Sequence, residues 1–192
     1  RMTPELEQRI AASLEHSGRF AELAALWQAQ LARMPLGAGA ERIALLAARA
    51  ELLLRIDQLA DAADAYESLL DVAPTHPGAV DALIQIYRQL GREADLARVL
   101  EMSASQAAPA DKRALLLEAA ELRRNRGDIP AAMTGYLTVF AMHPADRELF
   151  AAIERLAYKH QRWQDAMRLY DLTAAAVAQG VVDGVEVHAP VE

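Results

Sequence analysis

The chain has 192 residues, 53% of them hydrophobic and 24% charged, a length and balance that predict one globular domain rather than a disordered segment. Its 42 Ala and 27 Leu, with only 5% aromatics, favour helix and argue against an extensive sheet. A net charge of −7 offers no extended positive field to a nucleic acid, and the absence of cysteine excludes disulfides, thiolate metal sites and thiol nucleophiles.

Hydrophobic periodicity predicts ten helices, over 5–17, 20–33, 41–56, 59–72, 77–90, 93–106, 111–126, 129–142, 146–160 and 163–179. In the first, Thr3-Pro4 supplies a cap and a proline at an allowed early position. The third carries Leu45, Leu46, Arg49, Leu52, Leu53 and Ile56 on one face, and the fifth carries Val80, Leu83, Ile84, Tyr87 and Leu90. Asp111 is expected to cap the seventh, whose apolar face is Leu115, Leu116, Ala119 and Leu122. The ninth presents Phe150, Ile153, Leu156 and Ala157. Beyond 180, Val181 to His188 alternates like a strand. It is too short for a sheet of its own and reads as a linker or a segment for a neighbour.

A repeat underlies the helices. Gly127 is followed by Ala132, Tyr136, Val139 and Pro144. Asp57 is followed at the same offsets by Ala62, Tyr66, Leu69 and Pro74, and Gln161 by Ala166, Tyr170 and Thr173. Gly91 gives Leu96 and Leu100, with Pro109 one residue late, and Gly18 gives Leu23, Trp27 and Pro35. The anchors 18, 57, 91, 127 and 161 are spaced 39, 34, 36 and 34 apart. The anchor should end one helix and turn the chain. The small residue after it lets two helices cross closely, the aromatic fills the gap one turn on, and the proline ends the second helix.

A helix–turn–helix unit of 34 residues with these small, aromatic and proline positions resembles the tetratricopeptide repeat, across nearly the whole chain. Other helical-pair solenoids, of the HEAT or pentatricopeptide kind, are the alternatives. Ile84, Tyr87, Gly91 and Arg92 have counterparts about 70 residues on in Ile153, Ala157, Gln161 and Arg162, which suggests a fragment of a long bacterial multi-repeat array. The resemblance implies an all-α fold: a right-handed superhelix of about five hairpins, over about 4–39, 40–76, 77–110, 111–144 and 145–180, followed by the tail 181–192. It also implies a non-catalytic scaffold that binds a partner peptide or protein on a concave face lined by the first helix of each unit. The alternative is a structural spacer or oligomerisation segment within a longer array.

Carrying the groove-facing offsets onto this chain gives Glu5, Gln8, Glu15 and His16 in the first unit, and Glu51, Leu54 and Arg55 in the second. The third offers Asp81, Gln85, Arg88 and Gln89, the fourth Leu117, Glu121, Arg124 and Asn125. The fifth offers Glu148, Arg155, Tyr158 and Lys159. Arg55, Arg88, Arg124 and Lys159 recur at differences of 33, 36 and 35, so a line of cations along one wall is expected, suited to an acidic peptide. The Lys and Asn pair with which some family members hold a chaperone's C-terminal carboxylate is missing: the matching positions are Gln8/Ala12, Ala47/Glu51 and Asp81/Gln85.

Other features read as structural. His16, His76, His143, His160 and His188 lack metal-ligand spacing, so neither a metal nor a cofactor is implied. Gly37-Ala38-Gly39 has no third glycine and reads as a flexible connection rather than a nucleotide loop. Arg123-Arg124-Asn125-Arg126 sits where cations complement a helix C-terminus. Trp27, Tyr66, Tyr136 and Tyr170 share one repeat position and are assigned to core packing. No apolar run approaches the roughly 20 residues that span a bilayer, and Arg1 to Arg9 is too polar for a secretory leader. The expectation is therefore a cytoplasmic protein with protein partners, no nucleic acid and no membrane insertion, able to self-associate through its solenoid ends.

Overall fold

The computed structural model describes residues 3–35 and 39–180. The Val-rich tail and most of the Gly37-Ala38-Gly39 connection lie outside the described residues. Ten α-helices are seen among them: α1 (Pro4–His16), α2 (Phe20–Arg33), α3 (Gly39–Arg55), α4 (Leu59–Val72), α5 (Ala79–Leu90), α6 (Glu93–Gln106), α7 (Pro109–Asn125), α8 (Ile129–Met142), α9 (Arg147–Lys159) and α10 (Trp163–Ala178). The chain forms two compact units, α1 to α5 and α6 to α10, divided between Arg92 and Glu93. That division falls inside the third hairpin read from the sequence.

All five anchors adopt the left-handed conformation: Gly18 (φ 71°), Asp57 (59°), Gly91 (65°), Gly127 (83°) and Gln161 (55°). Each closes the same pair of hydrogen bonds. The amide after the anchor donates five residues back, from Arg19 to Leu14, Gln58 to Leu53, Arg92 to Tyr87, Asp128 to Arg123 and Arg162 to Ala157, at 2.8–3.0 Å. The anchor's own amide donates to the carbonyl three residues earlier, as Gly127 does to Arg124 at 3.0 Å. This is the Schellman arrangement, which satisfies carbonyls that the helix end would leave unpaired. The repeat found in the sequence is thus a repeat of backbone geometry. With the small, aromatic and proline offsets in the places read for them, the fold is a tetratricopeptide-like array of helical hairpins.

The offsets pack largely as expected. Ala62, Ala132 and Ala166 are buried at their crossings, with Tyr66, Tyr136, Leu69, Val139 and Thr173 also buried. Pro35, Pro74 and Pro144 follow the ends of α2, α4 and α8. Pro109 does not end α6; it opens α7 at the first turn, where its missing N–H costs nothing. Asp111 consequently lies inside the first turn, and Ala108 occupies the cap position. Leu90 is exposed rather than buried, and Leu115, Leu116 and Leu122 are half-buried because the buried seam of α7 is Ala119 and Ala120. Trp27 is likewise half-buried.

The seam on α7 marks a contact that the sequence offsets did not single out. A Cβ built on Gly135 of α8 would meet the Ala120 Cβ at 2.9 Å. These two helices approach closely because one position carries no side chain and the other only a methyl. Gly135→Leu should lower stability by about 1–3 kcal/mol in a urea melt, the range for overpacking a close contact.

Two anchors carry a side chain in a conformation that costs L-residues roughly 1–2 kcal/mol. Gln161→Gly should therefore raise stability by about 0.5–1 kcal/mol, after the unfolded chain's added freedom is subtracted. Asp57→Gly should gain less, because aspartate tolerates this region better. Thermal melts of the two single variants would check both the sign and the order.

Candidate functional site

The clearest gathering of candidate groove residues lies in the second unit, where α7, α8 and α9 surround a depression of about 520 Å³. Arg113, Leu117, Glu121 and Arg124 follow one another at helical spacings of four, four and three, so they share one face of α7. Glu148, Ala152, Arg155 and Lys159 do the same on α9. Tyr136 lines the depression from α8. The structure therefore brings together Leu117, Glu121, Arg124, Glu148, Arg155 and Lys159 from the sequence-derived set.

Sequence reasoning passed over Arg113 and Asp146. Arg113 donates to Asp146, whose other carboxylate oxygen accepts from the Leu149 amide at 3.0 Å and caps α9. The signal for Arg113 was present, one turn before Leu117 on the same face. Asp146 is visible as a cap only once the start of α9 is known. With Arg113 partly neutralised by Asp146, the lining keeps an excess of cation in a chain of net charge −7.

Asn125 and Tyr158 do not line this depression. Asn125 is exposed and accepts from Arg124 at 3.3 Å. Tyr158 turns to α10, where its ring meets Trp163 edge-on at 5.5 Å and its hydroxyl lies 3.2 Å from that of Tyr170. The Tyr170 hydroxyl in turn donates to Glu154. The cluster Arg123 to Arg126 has a more specific use than dipole compensation. Arg123 makes two 2.8 Å hydrogen bonds to Glu101 of α6 and lies 3.5 Å from Asp128, the cap of α8. The Glu101 hydrogen bond holds its guanidinium pKa above the usual value.

In the first unit, Glu51 and Arg55 line a smaller depression of about 290 Å³ with Glu15, Trp27, Ala48 and Leu52. Arg55 lies 4.5 Å over the Phe20 ring, a cation–π contact that occupies one face of its guanidinium. Gln8 joins Trp27, Gln30 and Leu45 around a larger, mostly apolar depression of about 700 Å³. Gln85, Arg88 and Gln89 are exposed on α5, as are Glu5, His16 and Asp81 on their helices. Leu54 is half-buried.

No protein-family model matches the sequence, and no curated protein matches it. Solved structures resemble it in the arrangement of their helices. MamA shares 12% identity at a TM-score of 0.43, with 98% of this chain and 97% of that chain covered. A protein of nearly identical TPR-like repeats from Podosopora anserina shares 18% identity at a TM-score of 0.38, covering 91% and 94%. BtubC (BKLC) from P. vanneervenii shares 15% at 0.34, covering 98% and 85%. Among the described residues no helix is long and apolar enough to cross a membrane.

The hydroxyl chain on α9 and α10 gives a pH signature. Burial, then the hydrogen bonds to Glu154 and Tyr158, push the Tyr170 phenol well above its ordinary value. Burial also raises the phenols of Tyr66 and Tyr136. A raised folded-state pKa leaves stability intact below the unfolded phenol's pKa of about 10 and removes it as pH climbs beyond. The melting temperature should fall steeply above about pH 10, and Tyr170→Phe should blunt that fall while also losing a hydrogen bond at neutral pH.

Proposed function

We propose that this chain is a non-catalytic protein-interaction scaffold that holds a partner peptide or protein against the first-helix faces of its hairpins. The α7/α9 depression is its principal contact. The observation that carries this reading is the convergence there of Arg124, Arg155 and Lys159, three cations from two helices facing one open depression. Helix-borne groups on a rigid hairpin need little reordering on binding, which favours their use for recognition. The excess of cations selects an acidic partner segment, through charge-assisted hydrogen bonds that guanidinium groups make well.

A second reading, a spacer or self-associating segment within a longer array, draws on one specific observation. Trp163, Met167 and Val177 on α10 are 54%, 66% and 38% exposed, and Leu6 on α1 is 44% exposed. Terminal repeats that end an array normally turn a polar face outward.

The two readings separate in one experiment. The full chain and an Arg124→Glu/Lys159→Glu variant are used to select from a displayed library of random 12-residue peptides. The wild-type chain should enrich acidic peptides and the variant should not, while the two melt within about 1 kcal/mol of each other, as surface changes do. Equal enrichment by both proteins would overturn the groove assignment. A concentration-dependent increase in sedimenting mass would then favour the second reading.

A further inference from the structure

The aromatic repeat position packs between helices, but its phenol still has to place a hydroxyl. Tyr170 resolves this by donating to Glu154, sixteen residues earlier on the preceding helix. Sixteen residues before Tyr136 stands Ala120, which has no carboxylate to offer. Tyr136 is only 5% exposed, and its hydroxyl has no hydrogen-bond partner among the described residues. An unpaired buried hydroxyl is destabilising by about 1–3 kcal/mol, and folded proteins rarely leave one so. A glutamate at Ala120 would not fit, because that methyl already stands where even a Cβ on Gly135 would meet it at 2.9 Å.

The residue that carries this buried hydroxyl lines the α7/α9 depression. Arg124 and Glu121 line it with Tyr136 and are close enough to act on the phenol's charge, the first favouring and the second opposing its ionisation. Both are exposed side chains, whose rotamers change quickly. Arg113, in the same lining, adds a second orphan: its Nε is buried and without a partner among the described residues, although its terminal nitrogen holds Asp146.

We propose that Tyr136 is a specificity-determining residue: its hydroxyl donates to a carboxylate of the bound partner, which Arg124 and the α9 cations hold over it. The partner thereby supplies to Tyr136 what Glu154 supplies to Tyr170 within the chain. This inference rests on the peptide-binding reading above and assigns that site a ligand class and a floor donor. A phenol kept neutral by burial remains a donor throughout the physiological pH range. The carboxylate is either an acidic side chain or a chain terminus, and the test separates them.

The full chain, with ¹³C-labelled tyrosine rings, is titrated at constant ionic strength with sodium propionate, sodium N-acetylglycinate and neutral propionamide. Propionate stands for a glutamate side chain and N-acetylglycinate for a chain end. The Tyr136 ring signals should shift and saturate with at least one of the two anions and stay still with propionamide. Whichever anion binds more tightly identifies the source. In Tyr136→Phe, binding read from the Arg124 and Arg155 guanidinium signals should weaken on the order of tenfold. Its melting temperature should be unchanged or higher, since an unpaired hydroxyl has been removed. Shifts that fail to saturate, equal shifts with propionamide, undiminished binding by Tyr136→Phe, or a clear drop in its melting temperature would each overturn the proposal. If the anions leave Tyr136 unmoved while the charge-reversed double variant still loses acidic peptides, this inference fails and the scaffold reading stands.

Discussion

Every hairpin turn in this chain depends on one residue held at positive φ. The left-handed anchor lets the next amide reach five residues back and lets its own amide reach three back. Those two bonds stop the helix and send the chain back along it, so the second helix of each hairpin starts within two residues of the anchor. Once the turn is fixed, the small and aromatic offsets fall at the crossing automatically, because they are counted along a helix whose start is set. Glycine serves this place at three anchors; Asp57 and Gln161 serve it at a steric cost that the surrounding bonds sustain.

Close packing follows from that geometry. Alanine and leucine dominate, so helices approach on methyl groups and a bare glycine instead of being spaced by aromatics. At Gly135 the approach is close enough that an added Cβ would meet the Ala120 methyl at 2.9 Å. The tyrosines then fill the space that widens beyond the crossing, and their hydroxyls must find acceptors. Tyr87 donates to Glu67 at 2.7 Å and Tyr170 to Glu154. Tyr136 sits beside the close Gly135–Ala120 approach, which leaves no room for such a partner at Ala120 on the facing helix. A packing solution thus creates a polar demand at the edge of a cation-lined depression.

The cations themselves are divided between scaffold and surface. Arg123 and Arg113 bond to carboxylates on other helices or their caps, and Arg55 stacks on Phe20, so these cations fasten the hairpins. Arg155 donates to the Ala151 carbonyl on its own helix at 3.1 Å, and Arg124 to the side-chain carbonyl of Asn125. Such local, exposed bonds are weak and exchange readily. Cations at repeat spacing therefore do not share one environment: Arg55 lies over an aromatic ring, while Arg124 and Arg155 bond within their own helices.

The sequence by itself determined where the helices lie and where they turn. The 3.6-residue period and the recurring anchors placed all ten helices within two residues, because both signals are local and each is repeated. The groove-facing offsets of the repeat it resembles also pointed to Glu121, Arg124, Arg155 and Lys159, which the structure gathers in the lining of one depression. Tertiary structure decided what each of those residues does. Tyr158, one position from Lys159, turns to Trp163 because a single residue rotates a side chain about 100° around a helix. Arg55 is taken by a phenylalanine on another helix, which no offset within the repeat records. The division between Arg92 and Glu93 and the unpaired phenol of Tyr136 depend on contacts between distant residues. Periodicity reports only which side of a helix faces in; it carries no information about which partner waits there.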